Sequence, residues 1–219
     1  MKLEDLEKCK SDEEFFNKAI CLIAKRKSVL DAGGSCAFHD DLRKHKHLFK
    51  NVKYVCVDID PDRKPDIIAD LHYLDRVFKE ESFDAVICKD VLEHCYNPFK
   101  VVDQIYKILK PRGIVFISAP FIYSYHHTKE AGSKLVNDYY RFTRAGMEQL
   151  LKKFSKVIVY SDTDYADCIT SFLLGFRIKK NNLIYKILKA TLSFIYSKFR
   201  RTGITYDNTN VTYQILAQK

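Results

Sequence analysis

The chain has 219 residues, 47% of them hydrophobic and 30% charged, with only seven Gly and five Pro; this composition excludes a disordered or fibrous protein. Its seven cysteines are scattered (Cys9, Cys21, Cys36, Cys56, Cys88, Cys95, Cys168) without Cys-x-x-Cys spacing, which excludes a zinc ribbon and a disulfide scaffold and points to reduced thiols. The net charge of +9 is local, because Cys168 to Tyr206 carries eight Lys or Arg and no Asp or Glu. The opening "MKLEDLEKCKSDEEFF" is too charged for a secretory signal, and the longest apolar runs are broken by lysines or too short to span a bilayer, so the expected location is cytoplasmic, with peripheral contact at a membrane surface as a further expectation.

Ser11 and Glu14 have capping-box spacing, and Phe15, Phe16, Ala19, Ile20 and Ile23 follow at helical intervals, which predicts an amphipathic helix over Asp12 to Lys27. Short apolar runs then alternate with segments of helix length: "SVLDA", "KYVCVDI", "DIIADL", "FDAVICKD" and "GIVFISAP". Runs of this kind are strands buried on both faces, and their alternation with helices predicts a doubly wound α/β sheet. Pro98 to Leu109 reads as a helix, and Lys110-Pro111-Arg112-Gly113 as the turn into the strand that follows. "TRAGMEQLLKKF" predicts a helix capped by Thr143, "KVIVYS" a strand, and "NVTYQILAQ" a last strand. Some 45 residues separate those two strands, long for a connection between neighbours, and they hold the basic region.

In open α/β sheets, ligands bind at the carboxyl ends of the strands. The first strand ends at Asp31 and enters Gly33-Gly34-Ser35; the second ends at Asp58-Ile59-Asp60, where an acid can accept hydrogen bonds from ribose hydroxyls. Asp70-Leu71 follows a third apolar run and could face an adenine edge. Each acid alone could equally be a strand-end cap; order and spacing favour a nucleoside site. "GGSCAF" does not satisfy G-x-G-x-x-G, which counts against NAD.

"VLDAGGS", "YVCVDIDP", "DIIADL", "FDAVICKDVLEH" and "ILKPRGIVFISAPF" resemble, in order, the motifs of class I S-adenosylmethionine-dependent methyltransferases of the type 11 kind, over about residues 26 to 160. "NDYYRFTRAGMEQLL" is similar to a subgroup associated with cell-surface polysaccharides and lipid-linked glycans. The resemblance implies a Rossmann-like, mainly parallel seven-stranded sheet with an antiparallel last strand and a helical insertion. It implies S-adenosyl-L-methionine as cofactor, with Asp31, Gly33, Gly34 and Ser35 at its methionine part and Asp58 and Ile59 at its ribose. Asp70 and Leu71 would flank the adenine, and Lys89, Asp90 and Val91 would form the wall nearest the sulfonium. Where Ser35 and Ala37 stand the family usually has Gly, a departure that small residues suit because this cofactor has no pyrophosphate to cradle. One domain is expected over 1–219: an N-terminal helix region over 1–27, a cofactor-binding core over 28–162 and a basic helical insertion over 163–209.

Methyl transfer needs an aligned acceptor and, for a hydroxyl, a base. His94 and His126, each beyond a strand end, are the candidates, with a cap on the next helix as the alternative for His94. Asp138, Tyr140 and Arg141 could bind a polar acceptor; alternatively Asp138 and Arg141 pair to fix their loop while Tyr139 and Phe142 enter the core. His39, His45 and His47 sit among charged residues and read as a solvated helix face, so no metal is expected. The expected activity is methylation of a small molecule, sugar or lipid-linked glycan, on a hydroxyl; the alternatives are a catalytically inactive binding or scaffold domain and an RNA methyltransferase. Within 183–201, Ile184, Ile187, Leu188, Thr191, Leu192, Ile195 and Phe199 share one helical face and Lys186, Lys189 and Lys198 lie elsewhere, a pattern suited to a membrane surface or to packing as a lid or dimer face. Nucleic acid fits less well, since no stacking motif accompanies the charge, and the oligomeric state is open.

Overall fold

A computed structural model describes residues 2–34, 40–123, 125, 137–161, 165–174, 182–199 and 212–219. Seven strands, β1 (Ser28–Ala32), β2 (Lys53–Asp58), β3 (Ile67–Ile68), β4 (Phe83–Lys89), β5 (Leu109–Pro120), β6 (Lys156–Tyr160) and β7 (Thr212–Gln218), form one sheet in the order β3-β2-β1-β4-β5-β7-β6. Strands β1 to β5 pair in parallel, and β7 enters antiparallel between β5 and β6. The order reverses direction between β1 and β4, and a crevice opens there beyond the strand ends.

The sheet is buried on both faces, as its continuous apolar runs predict. Along β5, Ile114 and Phe116 pack on one face with Phe15, Phe16 and Ile20 of α1 (Asp12–Ile23). Val115 and Ile117 pack on the other, with Val101 and Ile105 of the later helix over Pro98–Ile108. The Ser11 hydroxyl caps α1 by accepting from Glu14 N–H, while the Glu14 carboxylate reaches back to Lys10 N–H. This helix ends at Ile23, four residues short of the expected boundary. A short α2 (Asp40–Arg43) follows the first loop.

The helix α3 (Pro98–Ile108) begins with proline at its first turn and is capped by Asn97, which accepts from Lys100 N–H at 3.1 Å. The expected turn over Lys110 to Gly113 lies instead within β5. Arg112 adopts φ +63°, and the pairing with β4 jumps from Phe83↔Leu109 to Ala85↔Ile114, so the extra residues form a bulge. After Thr143, whose hydroxyl accepts from Gly146 N–H, comes α4 (Arg144–Leu150).

The insertion before β7 contains α5 (Tyr165–Leu173) and α6 (Leu183–Phe199), which pack on each other, with Ser171 and the Tyr185 hydroxyl 3.2 Å apart. The single apolar face expected of α6 is divided: Tyr185 is buried and Leu188 and Leu192 half-buried, while Leu183, Ile184, Ile187, Phe194 and Ile195 are exposed. No helix among the described residues is long and apolar enough to cross a membrane.

Candidate active site

At the end of β1 the chain turns through Gly33, whose φ of +77° is the left-handed region open to glycine, and its N–H donates to the Val57 carbonyl at 2.7 Å. A side chain here has no room, because a Cβ on Gly33 would lie 2.5 Å from a Val91 methyl. A Cβ on Gly34 would fall on the Asp31 carboxylate. Asp31 itself is buried beneath that loop, its carboxylate accepts from the Tyr54 hydroxyl at 2.6 Å, and burial pushes its pKa up to about 6. Burial by the same contact also pushes the Tyr54 phenol upward.

Asp58 ends β2, 6% exposed, with one carboxylate oxygen accepting from Asp60 N–H at 2.8 Å and the other 3.9 Å from Arg63 Nε. Desolvation raises its pKa, against which Asp60 N–H and Arg63 act. Beyond β3, the Asp70 carboxylate caps the 3-10 turn Leu71–Arg76 by accepting from His72 N–H, and lies 2.6 Å from His72 Nδ1. His72 Nε2 accepts from Asn97 N–H at 3.2 Å, which assigns the ring proton to Nδ1. The His72 ring stacks on Tyr96 at 3.9 Å between centroids.

At the end of β4, Asp90 holds φ +54°, a strained value for a non-glycine residue, between two restraints. The Ser118 hydroxyl donates to one carboxylate oxygen at 2.6 Å, and Lys89 Nζ lies 2.5 Å from the other. These elements enclose a cleft of about 290 Å³. Gly33, Asp58, Ile59, Asp70, Leu71, Asp90, Val91 and His94 line it, together with Arg63, His72, Cys95, Tyr96, Asn137 and Tyr139, which sequence reasoning missed. The spacing of His72 two residues after a strand-end acid was the available signal for one of them; the others reach the cleft only through the fold. Asp31, Gly34 and Lys89 stand behind this wall, and Ser35, His39 and His126 lie outside the described residues.

On the acceptor side the expectations divide. His94 caps no helix, since Asn97 does that; its Nδ1 donates to the Asn137 carbonyl at 2.9 Å, and its Nε2 sits 4.0 Å from Glu93. Arg141 is half-buried: its guanidinium pairs with both oxygens of Asp138 and donates to the carbonyls of Tyr123 and Tyr140. The pair that the loop-fixing alternative expects is therefore present, with the guanidinium fork turned to Asp138. Of the two residues that the pairing alternative placed in the core, Phe142 is buried, but Tyr139 is exposed and lines the cleft; the Tyr140 hydroxyl donates to the Tyr96 carbonyl. His45 packs edge-on to Phe16 at 5.8 Å, and no cluster able to hold a metal occurs among the described residues.

The residue that sequence reasoning overlooked most plainly is Glu93. It is 1% exposed, one carboxylate oxygen has no hydrogen-bond partner among the described residues, and burial followed by the Asp90 charge pushes its pKa up to about 8.

Residues 30–117 match a family model described as a methyltransferase domain. A search of curated proteins found no match to the sequence. Among solved structures the chain is similar to an S-adenosylmethionine-dependent methyltransferase from Archaeoglobus fulgidus, with TM-score 0.59 and 14% identity over 94% of this chain and 92% of that one. It is also similar to a Burkholderia thailandensis 1,6-didemethyltoxoflavin-N1-methyltransferase solved with S-adenosylhomocysteine, with TM-score 0.53 and 15% identity over 95% and 79%. A third neighbour, at TM-score 0.54 and 13% identity over 97% and 84%, is the [4+2]-cyclase SpnF, a reminder that this fold alone does not name a reaction. The methyltransferase-domain match over residues 30–117, the reversed strand and the cleft at the switch point give this chain the Rossmann-like sheet of the S-adenosylmethionine-dependent methyltransferase fold.

The described residues fit that cofactor. Gly33 leaves a side-chain-free approach to the cleft, Asp58 presents a carboxylate able to accept from ribose hydroxyls, and Ile59 and Leu71 offer apolar surface that a purine could use. When bound, the cofactor supplies a methyl group already activated on a positively charged sulfur; the protein's part is to orient the acceptor, exclude water and receive a proton.

Proposed function

We propose that this enzyme methylates a hydroxyl of a small molecule, sugar or lipid-linked glycan. The observation that carries the reading is the acceptor-side cavity of about 250 Å³ beside Asp90, lined by Glu93, Pro120, Tyr123 and Thr212. Because Asp90 also lines the cofactor cleft, the cavity adjoins the cofactor site, and it has room for one polar group of an acceptor. The Burkholderia neighbour, solved with bound 1,6-didemethyltoxoflavin, supports a small-molecule acceptor. Asp31, Gly34 and Ser35 are proposed at the methionine end, and Lys89, which pairs with Asp90, at the wall nearest the sulfonium. His126 and His94 are the histidines proposed beside the acceptor, with Asp138, Tyr140 and Arg141 proposed on the side where a polar acceptor binds.

A lipid-linked acceptor is supported by α6, whose exposed Leu183, Ile184, Ile187, Phe194 and Ile195 flank the exposed Lys186 and suit a membrane surface. The test of the central reading is calorimetric titration with S-adenosylmethionine and S-adenosylhomocysteine. Both should bind, and Asp58→Ala should weaken both roughly 100-fold, since each hydrogen bond from a ribose hydroxyl to a charged carboxylate contributes about 1.5–3 kcal/mol. Absence of heat with either ligand refutes the function; an unchanged affinity in the variant refutes the placing of the ribose.

A further inference from the structure

Glu93 stands on the 3-10 turn Leu92–His94 after β4, and its side chain is almost fully enclosed yet forms part of the acceptor-side cavity wall. Its backbone is fixed firmly: the carbonyl accepts from Tyr139 N–H at 2.7 Å and from Tyr140 N–H at 3.2 Å. Its carboxyl is not, because one oxygen is buried without a hydrogen-bond partner among the described residues. A buried polar atom left unpaired lowers stability, so a position that keeps one calls for an explanation in use.

The charged and titratable groups around it are few. Asp90 faces it from the end of β4, Asp138 and Arg141 from the segment before α4, and His94 Nε2 lies 4.0 Å from its other oxygen. Tyr123 shares the cavity, and the buried thiols of Cys88 and Cys95 feel its charge. Arg141 is already engaged by Asp138 and Lys89 by Asp90, so burial decides and the resting carboxyl keeps its proton. Asp90 lines both this cavity and the cofactor cleft. A positive charge brought into the cleft therefore acts on Glu93 across one residue, in the direction that favours ionisation.

We propose that Glu93 is the proton acceptor of the methyl-transfer step, ionised by the arrival of the cofactor's sulfonium charge. The proposal rests on the reading that the acceptor is a hydroxyl. In the step, a lone pair of the acceptor oxygen forms the new bond to the methyl carbon. The carbon–sulfur bond breaks with its electron pair going to sulfur, and the hydroxyl proton passes to the Glu93 carboxylate. Once the sulfur is neutral, nothing holds Glu93 ionised, and it retains that proton until the next S-adenosylmethionine arrives. The base is thus created by the charged substrate and cancelled by the neutral product.

The experiment needs no acceptor. The full chain is titrated with S-adenosylmethionine and with S-adenosylhomocysteine at about pH 7, each in two buffers of different ionisation enthalpy, which reads the protons released on binding. Both ligands carry the same ammonium and carboxylate, so those contributions cancel. S-adenosylmethionine should release up to one proton more than S-adenosylhomocysteine, and Glu93→Gln, which keeps the shape, should abolish the difference while both ligands still bind. Carbon-13 NMR of labelled glutamate carboxyls in the unsubstituted protein covers the case in which the variant fails to fold: one carboxyl should be neutral with S-adenosylhomocysteine and ionised with S-adenosylmethionine. Equal proton release by the two ligands, a difference that survives Glu93→Gln, or a carboxyl in the same state with both overturns the proposal. Those results leave cofactor binding intact; failure of both ligands to bind overturns the proposed function as well.

Discussion

Replacement of Gly33 by alanine tests how the cofactor loop is built. Two independent penalties apply. The backbone sits at φ +77°, where an L residue loses about 1–2 kcal/mol relative to glycine. The new methyl would also lie 2.5 and 2.8 Å from the two Val91 methyls and 3.3 Å from its Cβ, an overlap whose relief by local shifts costs typically about 1–3 kcal/mol. Together they predict a loss of about 2–5 kcal/mol, a fall in melting temperature of roughly 4–20 °C for a chain of this size. Affinity for S-adenosylhomocysteine should fall in step, because Val91 lines the same cleft. The double variant separates the penalties. With Val91→Ala already present, Gly33→Ala should retain only the backbone part, about 1–2 kcal/mol. Urea unfolding of the four proteins of this cycle measures the coupling. If Gly33→Ala costs the same with and without the Val91 methyls, or less than about 0.5 kcal/mol in the parent, the close approach is not what requires glycine here.

Asp31 makes stability depend on pH in a defined window. Burial holds its proton up to about pH 6, against 3.8 in an unperturbed carboxyl. Between those values the folded chain binds more protons than the unfolded one, so stability falls as pH rises through the window and then levels off. The fall amounts to about 3 kcal/mol, and Asp31→Asn should remove it, so that variant and parent converge below the window and separate above it. Urea unfolding at several pH values reads this, and a parent stability that rises through the window contradicts it. For α6, sedimentation with anionic vesicles at low salt should pull down the parent chain, and the K186A/K189A/K198A variant should stay in solution. Equal recovery of the two in the pellet would show that the lysines are not what binds the surface, and recovery of neither would remove the membrane from the account.

The order of strands and helices was legible in the residues because burial of apolar side chains is a local, periodic signal. "SVLDA", "KYVCVDI" and "FDAVICKD" became β1, β2 and β4, and Thr143 and Ser11 capped the helices their spacing announced. The strand-end acids Asp58, Asp70 and Asp90 were legible for the same reason, since a strand's end places its next polar residue at the mouth of the crevice. What the tertiary structure decided concerns partners distant in the chain. Whether Arg141 would meet an acceptor or Asp138 was open in the residues, and the fold sets Asp138 and two carbonyls against its donors; Tyr139, a core candidate by sequence, faces the cleft. The α6 stripe looked continuous until packing on α5 buried Tyr185 and left Ile184 and Ile187 outside. Glu93 is the sharpest case. In "DVLEH" it is one acid among several, and only enclosure by segments some 45 residues away removes its solvent and its partners, which turns an ordinary carboxyl into one that keeps a proton near neutrality.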